Sequence, residues 1–286
     1  MAEARSRYNC EGKHPTRQEP AMEINVPGMR VLVTGGGAGI GRKIAETFAS
    51  SGARVHVCDV DTAALADFSA ANPGAGTTVC DIADRAAVDR LFDDIAARMD
   101  GLDVLVNNAS ISGPVGRVED LDIDEWERVF AVNTHGTFYC TRRAIPMLKR
   151  AGEGSIINIS SVSGRLPYPM RSPYSTSKFA MVGFTQCLAL ELGAYDIRAN
   201  AILPGIVRGE RWFRNAKRRA AAAGVSVDEI IAGGLARVAT GNMIEPEEIA
   251  DTAVFLASRL GRNITGQSIS VCGYVQALSN PLPRAE

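Results

Sequence analysis

Tyr174 and Lys178 stand four positions apart in the run "YSTSK", which puts a phenol and an ammonium on one face of a helix. A tyrosine with its ordinary pKa near 10 is a poor base at neutral pH, and a neighbouring ammonium stabilises its phenolate. Such a pair suits hydride movement between an alcohol carbon and an acceptor. The hydroxyl proton needs a base and, in reverse, the carbonyl oxygen needs an acid. Spacing alone does not decide, because two residues on a solvated helix face look the same. Ser161, thirteen residues earlier in "NISSVSG", offers a hydroxyl that can hold a substrate oxygen near the phenol; on its own it reads equally as a turn residue or helix cap.

A second constellation lies in "RVLVTGGGAGIGRKIAETFASSGARVHVCDVD". A strand pattern ends at Thr34, the turn carries Gly35, Gly36, Gly37, Gly39 and Gly41, and a helical pattern begins near Ile40. Backbone without side chains approaches a pyrophosphate closely, and a helix N-terminus offers it unpaired N–H groups and the positive end of a dipole. The next strand pattern ends at Asp59, twenty residues after Gly39, where a carboxylate can accept hydrogen bonds from an adenosine ribose diol. Glycines alone mark any turn. Strand, glycines, helix, strand and acid in this order point to a dinucleotide. Asp59 repels a 2′-phosphate, and no Arg or Lys follows it directly or occupies position 38, so NAD(H) is expected over NADP(H).

These groups need a frame that brings distant stretches together. Short apolar runs, "MRVLVTGGG", "ARVHVCDV", "LDVLVNN", "SIINISS" and "IRANAILPG", alternate with segments whose apolar residues recur at helical spacing, such as "DRAAVDRLFDDIAARMD". This alternation predicts a parallel sheet covered by helices on both faces, and strands buried on both faces read as nearly continuous apolar runs. "EPEEIADTAVFLAS" has a structural helix start at Pro246, and "ITGQSISVCGY" supplies the last strand. No linker composition, internal repeat or low-complexity tract interrupts the pattern, so one catalytic domain is expected over residues 22–286. Residues 1–21, polar and without apolar periodicity, read as a flexible extension.

Composition excludes several function classes. The chain has 286 residues, 46% hydrophobic and 22% charged, with a formal net charge of −1. That balance suits a globular protein and argues against a nucleic-acid partner, which leaves a basic footprint. Six scattered cysteines with no CxxC or Cys/His cluster, and three distant histidines, suggest neither a disulfide framework nor a metal site. No apolar run reaches bilayer-spanning length and no secretory h-region precedes the first strand, so a cytoplasmic location is expected.

TGxxxGxG (Thr34, Gly35, Gly39, Gly41), "NNAS" at 107–110, Asn133 in "VFAVNTHG", Ser161, and YxxxK at 174–178 fall in one order along the chain. In these five motifs the sequence resembles the short-chain dehydrogenase/reductase family, over residues 29 to about 275. The resemblance implies a Rossmann-type, doubly wound parallel sheet of about seven strands. It implies Tyr174 as general acid/base, Lys178 as the group that lowers its pKa and holds the nicotinamide ribose, and Ser161 as the group orienting the substrate oxygen. Asn133 would help hold a water linking the lysine to solvent; it could equally satisfy backbone at a helix irregularity. Gly35, Gly37, Gly39, Ile40 and Gly41 would surround the phosphates and Asp59 the adenosine ribose. Asp81 and Ile82 would lie by the adenine ring, and Asn108, between Asn107 and Ala109, at the strand end beside the cofactor.

One departure stands out. Where the family often has PGxVxT, this chain has "PGIVRGE", with Gly209 in place of the threonine that meets the nicotinamide carboxamide. That contact would fall to backbone at Ile206 or Val207. A helical lid over the substrate is expected around residues 206–240. Its Arg208, Arg211, Arg214, Lys217, Arg218 and Arg219 either recognise an anionic substrate or form a solvated helix face. Tyr168, Arg211 and Trp212 are candidate substrate contacts, and the two aromatics could instead pack the lid. The expected activity is NAD(H)-dependent interconversion of a secondary alcohol and a ketone by a homodimer or homotetramer. A 3-oxoacyl thioester reductase, an enoyl reductase and a non-catalytic NAD-binding scaffold are the alternatives. The four-residue Tyr-to-Lys interval counts against enoyl reduction, because related enoyl reductases usually show a longer one.

Overall fold

The computed structural model describes residues 24–275, and the expected flexible stretch 1–21 lies outside them. Seven parallel strands form one sheet in the order β3-β2-β1-β4-β5-β6-β7. They are β1 (Arg30–Thr34), β2 (Arg54–Asp59), β3 (Gly76–Val79), β4 (Val104–Asn107), β5 (Gly154–Ile159), β6 (Ile197–Pro204) and β7 (Ser268–Val271). Six were legible as apolar runs. The edge strand β3 was not, since "GTTV" has no apolar run and its side chains are only partly covered.

Successive residues of a strand face opposite sides of the sheet, and the core divides accordingly. Val31 and Val33 join one cluster with Ile44 and Phe48 of α1 (Gly39–Ser50) and Ile249 and Val254 of α9 (Pro246–Ala257). Leu32, between them, faces a second cluster with Leu91, Phe92 and Ile95 of α3 (Arg85–Met99) and Leu188 of α6 (Ser172–Leu192). Helices therefore cover both faces. The remaining helices are α2 (Thr62–Ala71), α4 (Ile123–Phe130), α5 (Thr137–Ala151), α7 (Glu210–Ala223) and α8 (Val227–Leu235). Helix α9 begins with Pro246 in its first turn, as its sequence predicts, and the Glu248 side chain accepts from the Glu245 N–H at 2.7 Å.

β1 lies between β2 and β4, so strand order reverses there, and a crevice opens beyond the carboxyl ends of the two strands. Thr34, Asp59, Asn107 and Ile159 end four of these strands, so residues far apart in sequence meet on one rim. Among the described residues no helix is long and apolar enough to cross a membrane.

Candidate active site

Pro173 in the first turn of α6 presets the backbone for the helix, and Tyr174 and Lys178 follow one turn apart. Lys178 is buried; its Nζ donates a 2.8 Å hydrogen bond to the carbonyl of Ile159 and lies 5.7 Å from the centre of the Tyr174 ring. Ser161 follows the end of β5. Its hydroxyl lies within hydrogen-bond reach of the Tyr174 phenol and also accepts from the Ser163 N–H at 3.1 Å. Ser160 faces the other way, donating to the Lys178 carbonyl at 2.8 Å and so fastening the strand end to α6. Only one of these adjacent hydroxyls therefore meets the phenol.

Burial opposes ionisation of Tyr174. The Lys178 ammonium, the Arg211 charge, the Ser161 hydrogen bond and the Arg171 charge together outweigh it, so the phenol pKa falls below its ordinary value. Burial lowers Lys178 to about 8, with Tyr174 resisting that shift and Arg211 adding to it. Both groups are thus shifted downward, toward the range in which general acid–base chemistry operates near neutral pH.

Asn133 lies in a π-helical turn, Ala131–Gly136, that joins α4 to α5. Its Oδ1 accepts from the Ile111 N–H at 2.8 Å, and its Nδ2 donates to the Ile111 carbonyl and the Ser177 hydroxyl, each at 3.0 Å. The side chain therefore clamps the loop after β4 to the turn and to α6. Its backbone carbonyl accepts from the Thr137 hydroxyl at 3.0 Å.

At the other end of the crevice, the first turn of α1 has no capping side chain and no acidic residue. Its orphan N–H groups are ready for an anion. Gly35 (φ +63°) and Gly39 (φ +56°) adopt left-handed backbone. A Cβ at Gly39 would meet nothing within 4 Å, so within the protein its left-handed backbone alone calls for glycine, whereas a Cβ at Gly41 would lie 2.1 Å from the Gly35 carbonyl. Asp59 Oδ2 accepts from the Gly37 N–H at 3.0 Å, and its Oδ1 from the N–H groups of Val60 and Asp61 at 2.8 and 3.2 Å. The carboxylate is held at the loop with acceptor capacity left on Oδ2. These groups fit a nicotinamide dinucleotide.

Other candidates have duties within the protein. Asn108 donates to the carbonyls of Thr34 and Gly35 at 3.0 and 2.9 Å, which pins the glycine loop to β4. Asn107 donates to Thr141 and Asn158, starting a buried polar ladder that continues through Thr185 to the Met181 carbonyl. Asp81 pairs with Arg128 at 2.8 Å and accepts from the Ala83 N–H, and Ile82 is buried against Gly136. Val207 forms an isolated parallel bridge to Ile244, in which Ile206 O and Arg208 N carry the hydrogen bonds. Val207's own N–H and C=O therefore face away from that bridge.

Helices α7 and α8 occupy the stretch expected to cover the substrate, and the basic cluster there divides. Arg208 pairs with Glu245 at 2.8 Å, while Arg214, Lys217 and Arg218 are exposed. Arg211 instead reaches across to the loop after β4, donating to Ser110 O at 3.0 Å and to the hydroxyls of Ser110 and Ser112, each at 3.2 Å. Arg219 stacks 5.6 Å from the Tyr168 ring centre, and Trp212 packs edge-on against Phe213. Sequence reasoning passed over Arg171, which lies buried with its guanidinium 5.0 Å from the Tyr174 ring centre. Its position three residues before the tyrosine was the available signal.

Comparison with known proteins bears on this geometry. A sequence model described as enoyl-(acyl carrier protein) reductase matches residues 35–274. A 2,3-dihydro-2,3-dihydroxybenzoate dehydrogenase of Bacillus subtilis (strain 168) is 32% identical over 257 residues, covering 87% of this chain and 96% of the relative. Among solved structures, an NAD+-bound xylitol dehydrogenase is similar with a TM-score of 0.83 at 27% identity, covering 88% of this chain and 100% of that one. A variant actinorhodin polyketide ketoreductase with NADPH has a TM-score of 0.83 at 31% identity, covering 86% of this chain and 96% of that one. Both forms of nicotinamide cofactor thus occur among similar folds.

Proposed function

The chain belongs to the short-chain dehydrogenase/reductase family, and from that premise we propose that it is an NAD(H)-dependent oxidoreductase interconverting a secondary alcohol and a ketone. The observation that carries this reading is the Ser161 hydroxyl and the Lys178 ammonium converging on the phenol of Tyr174. The cofactor, when bound, supplies the hydride acceptor or donor. In oxidation the Ser161 hydroxyl holds the substrate oxygen, and the Tyr174 phenolate takes the proton from it as the carbinol carbon gives up its hydride. In reduction the Tyr174 O–H returns that proton to the carbonyl oxygen. Lys178 stabilises the phenolate, and because Ile159 uses only one of its three N–H donors, others remain for a ribose hydroxyl. Asn133 keeps the loop after β4 in register with α6 and, through its carbonyl, supports proton exchange with solvent.

NAD(H) rather than NADP(H) is supported by Asp59, whose carboxylate would repel a 2′-phosphate, and by the absence of a basic residue at positions 38 and 60. The loop glycines and Ile40 would hold the phosphates, Asp81 and Ile82 the adenine, and backbone at Ile206 and Val207 the carboxamide. Asn108 would act through the glycine loop it pins. Phe138 on α5 and Phe179 and Leu190 on α6 are exposed, which supports a homodimer or homotetramer formed through these helices. Free thiols at Cys58, Cys80, Cys140, Cys187 and Cys272 are consistent with a cytoplasmic enzyme.

The test is NADH formation from NAD+ with a panel of secondary alcohols. Turnover that Tyr174→Phe lowers about 10²–10⁴-fold, with NADH binding intact, is the expected result. Cofactor binding without turnover of any alcohol or ketone would favour a non-catalytic scaffold instead. The enoyl reductase description of the matching sequence model makes an enoyl thioester a necessary member of the panel. Its reduction in preference to ketones would replace the present reading.

A further inference from the structure

Arg171 is a charged side chain only 7% exposed, and among the described residues it has no anionic partner. One N–H of Nη2 donates to the Ser112 carbonyl at 3.0 Å, while the buried Nε has no acceptor. The groups that act on its charge are Tyr174, Tyr168, Arg211 and Arg219, with no carboxylate among them. Its guanidinium lies 5.0 Å from the Tyr174 ring centre and 5.8 Å from that of Tyr168. Arg211 donates only to neutral serine groups, and Arg219 stacks on Tyr168.

Several arginines elsewhere meet carboxylates, as Arg30 meets Asp103, Arg128 meets Asp81 and Arg208 meets Glu245. Arg198, which does not, donates instead to the carbonyls of Leu256, Ala257 and Gly261; Arg171 has one such carbonyl. Around Arg171 the exposed Arg211 and the half-buried Arg219 gather without a carboxylate, although a buried cation such as Arg171 lacking a counter-charge is strongly disfavoured. Backbone geometry holds the arrangement: Met170, just before Arg171, adopts a left-handed φ of +64°, and its carbonyl accepts from the Gly116 N–H at 3.0 Å. Such a conformation in a non-glycine residue persists where the surroundings impose it.

We propose that Arg171 and Arg211 form an anion subsite beside Tyr174, with Arg219 at its rim, and that the alcohol or ketone turned over there carries a carboxylate a few bonds from the reacting carbon. This rests on the oxidoreductase reading above and deepens it. Arginine suits the task because its planar fork binds carboxylate through two parallel hydrogen bonds, and Arg171 spends one N–H on the Ser112 carbonyl and leaves the rest of its fork without a protein acceptor.

The test compares matched probes, short 2-oxo, 3-oxo and 3-hydroxy acids against their methyl esters, on the full chain with saturating NAD+ or NADH. Both kcat/KM and calorimetric binding are read. Wild-type protein is expected to favour acid over ester by at least about tenfold, the equivalent of one charge-assisted hydrogen bond. Arg171→Met and Arg211→Met should each narrow that ratio at least about fivefold, Arg171→Lys should recover part of it, and Arg214→Met, on the exposed side of α7, should keep it. The ratio is taken within one protein, so a general loss of folded enzyme cancels. Turnover of esters and neutral ketones with a ratio near one would overturn the anion subsite and leave the oxidoreductase reading standing. A ratio that survives the double Arg171→Met/Arg211→Met substitution would also overturn it. Acid-selective binding without turnover of any probe would support the subsite while removing the oxidoreductase reading. Neither binding nor turnover would overturn both.

Discussion

The ammonium of Lys178 stands 5.7 Å from the centre of the Tyr174 ring, anchored there by its 2.8 Å hydrogen bond to the Ile159 carbonyl. This relationship sets the pH dependence of the chemistry. Alcohol oxidation needs the phenolate, so kcat/KM should climb with pH and level off below the ordinary phenol value of about 10, because the Tyr174 pKa is lowered. Ketone reduction needs the protonated phenol and should fall across the same window. Lys178 itself titrates at about 8, so the profile reports the coupled pair. Lys178→Met removes the largest charge favouring the phenolate and should move the oxidation rise to higher pH; a profile that stays in place would refute the assignment.

Asp59 bears on cofactor choice. Its carboxylate is fixed by the Gly37, Val60 and Asp61 N–H groups, so a ribose diol meets a pre-aligned acceptor and a 2′-phosphate meets a negative charge. Asp59→Ser should weaken NADH binding by roughly tenfold to a hundredfold, the loss of a hydrogen bond to a charged group at about 1.5–3 kcal/mol, and should improve NADPH binding. Fluorescence titration of both cofactors reads the ratio. A wild-type preference for NADPH would show the reading of Asp59 to be mistaken.

Two loop glycines should fail differently. In Gly41→Ala the new Cβ would meet the Gly35 carbonyl at 2.1 Å and Asn108 Nδ2 at 2.3 Å, breaking the clamp on the loop. Overpacking of this kind costs about 1–3 kcal/mol, visible as a lower Tm by calorimetry. Gly39→Ala has open space around its Cβ and only the strain of φ +56°, about 1–2 kcal/mol. Its larger effect should be on cofactor affinity. Equal loss of NADH binding relative to stability in both variants would argue against a phosphate at Gly39.

His56 makes the fold sensitive to acid. Thr78 donates to Asp94 at 2.6 Å, so its oxygen accepts from His56 Nε2–H at 2.8 Å, which leaves the buried Nδ1 as an unpaired acceptor. Burial, partly opposed by Asp94 and reinforced by Arg98, lowers its pKa to about 4. The unfolded chain, with histidine near 6.5, therefore binds the proton first, and stability should decline as pH falls from about 6.5 to 4, by about 3 kcal/mol at most. Urea midpoints at pH 7.5 and 4.5 measure this. His56→Val should flatten the difference, and an equal decline in both proteins would exclude His56 as its source.

The legible parts of the molecule were those in which local order carries the physics. Alternating apolar strands and periodic helices announce a covered parallel sheet, and the loop from Thr34 to Asp59 announces its ligand, because each is a contiguous segment whose backbone geometry follows from its own residues. β3 escaped notice because a half-exposed edge strand needs no apolar run. Asn133 was found, but its clamp on Ile111 was invisible, since the two are joined only by the packing of the π-helical turn against the loop after β4.

The sequence by itself therefore determined the fold class, the placing of Tyr174 and Lys178 one turn apart on one helix, and the order of the cofactor motifs. Tertiary structure alone decided what Ser160 does beside the Ser161 that spacing had picked out, fastening the end of β5 to α6, and which arginines of a basic stretch reach across to other loops. It also brought Cys58, Cys80 and Cys140, scattered along the chain, into one buried group. The physical reason is common to all three. A side chain's charge and hydrogen-bonding capacity are written in its type, but its partners are set by strand register and helix docking, and those depend on contacts between segments far apart in the chain.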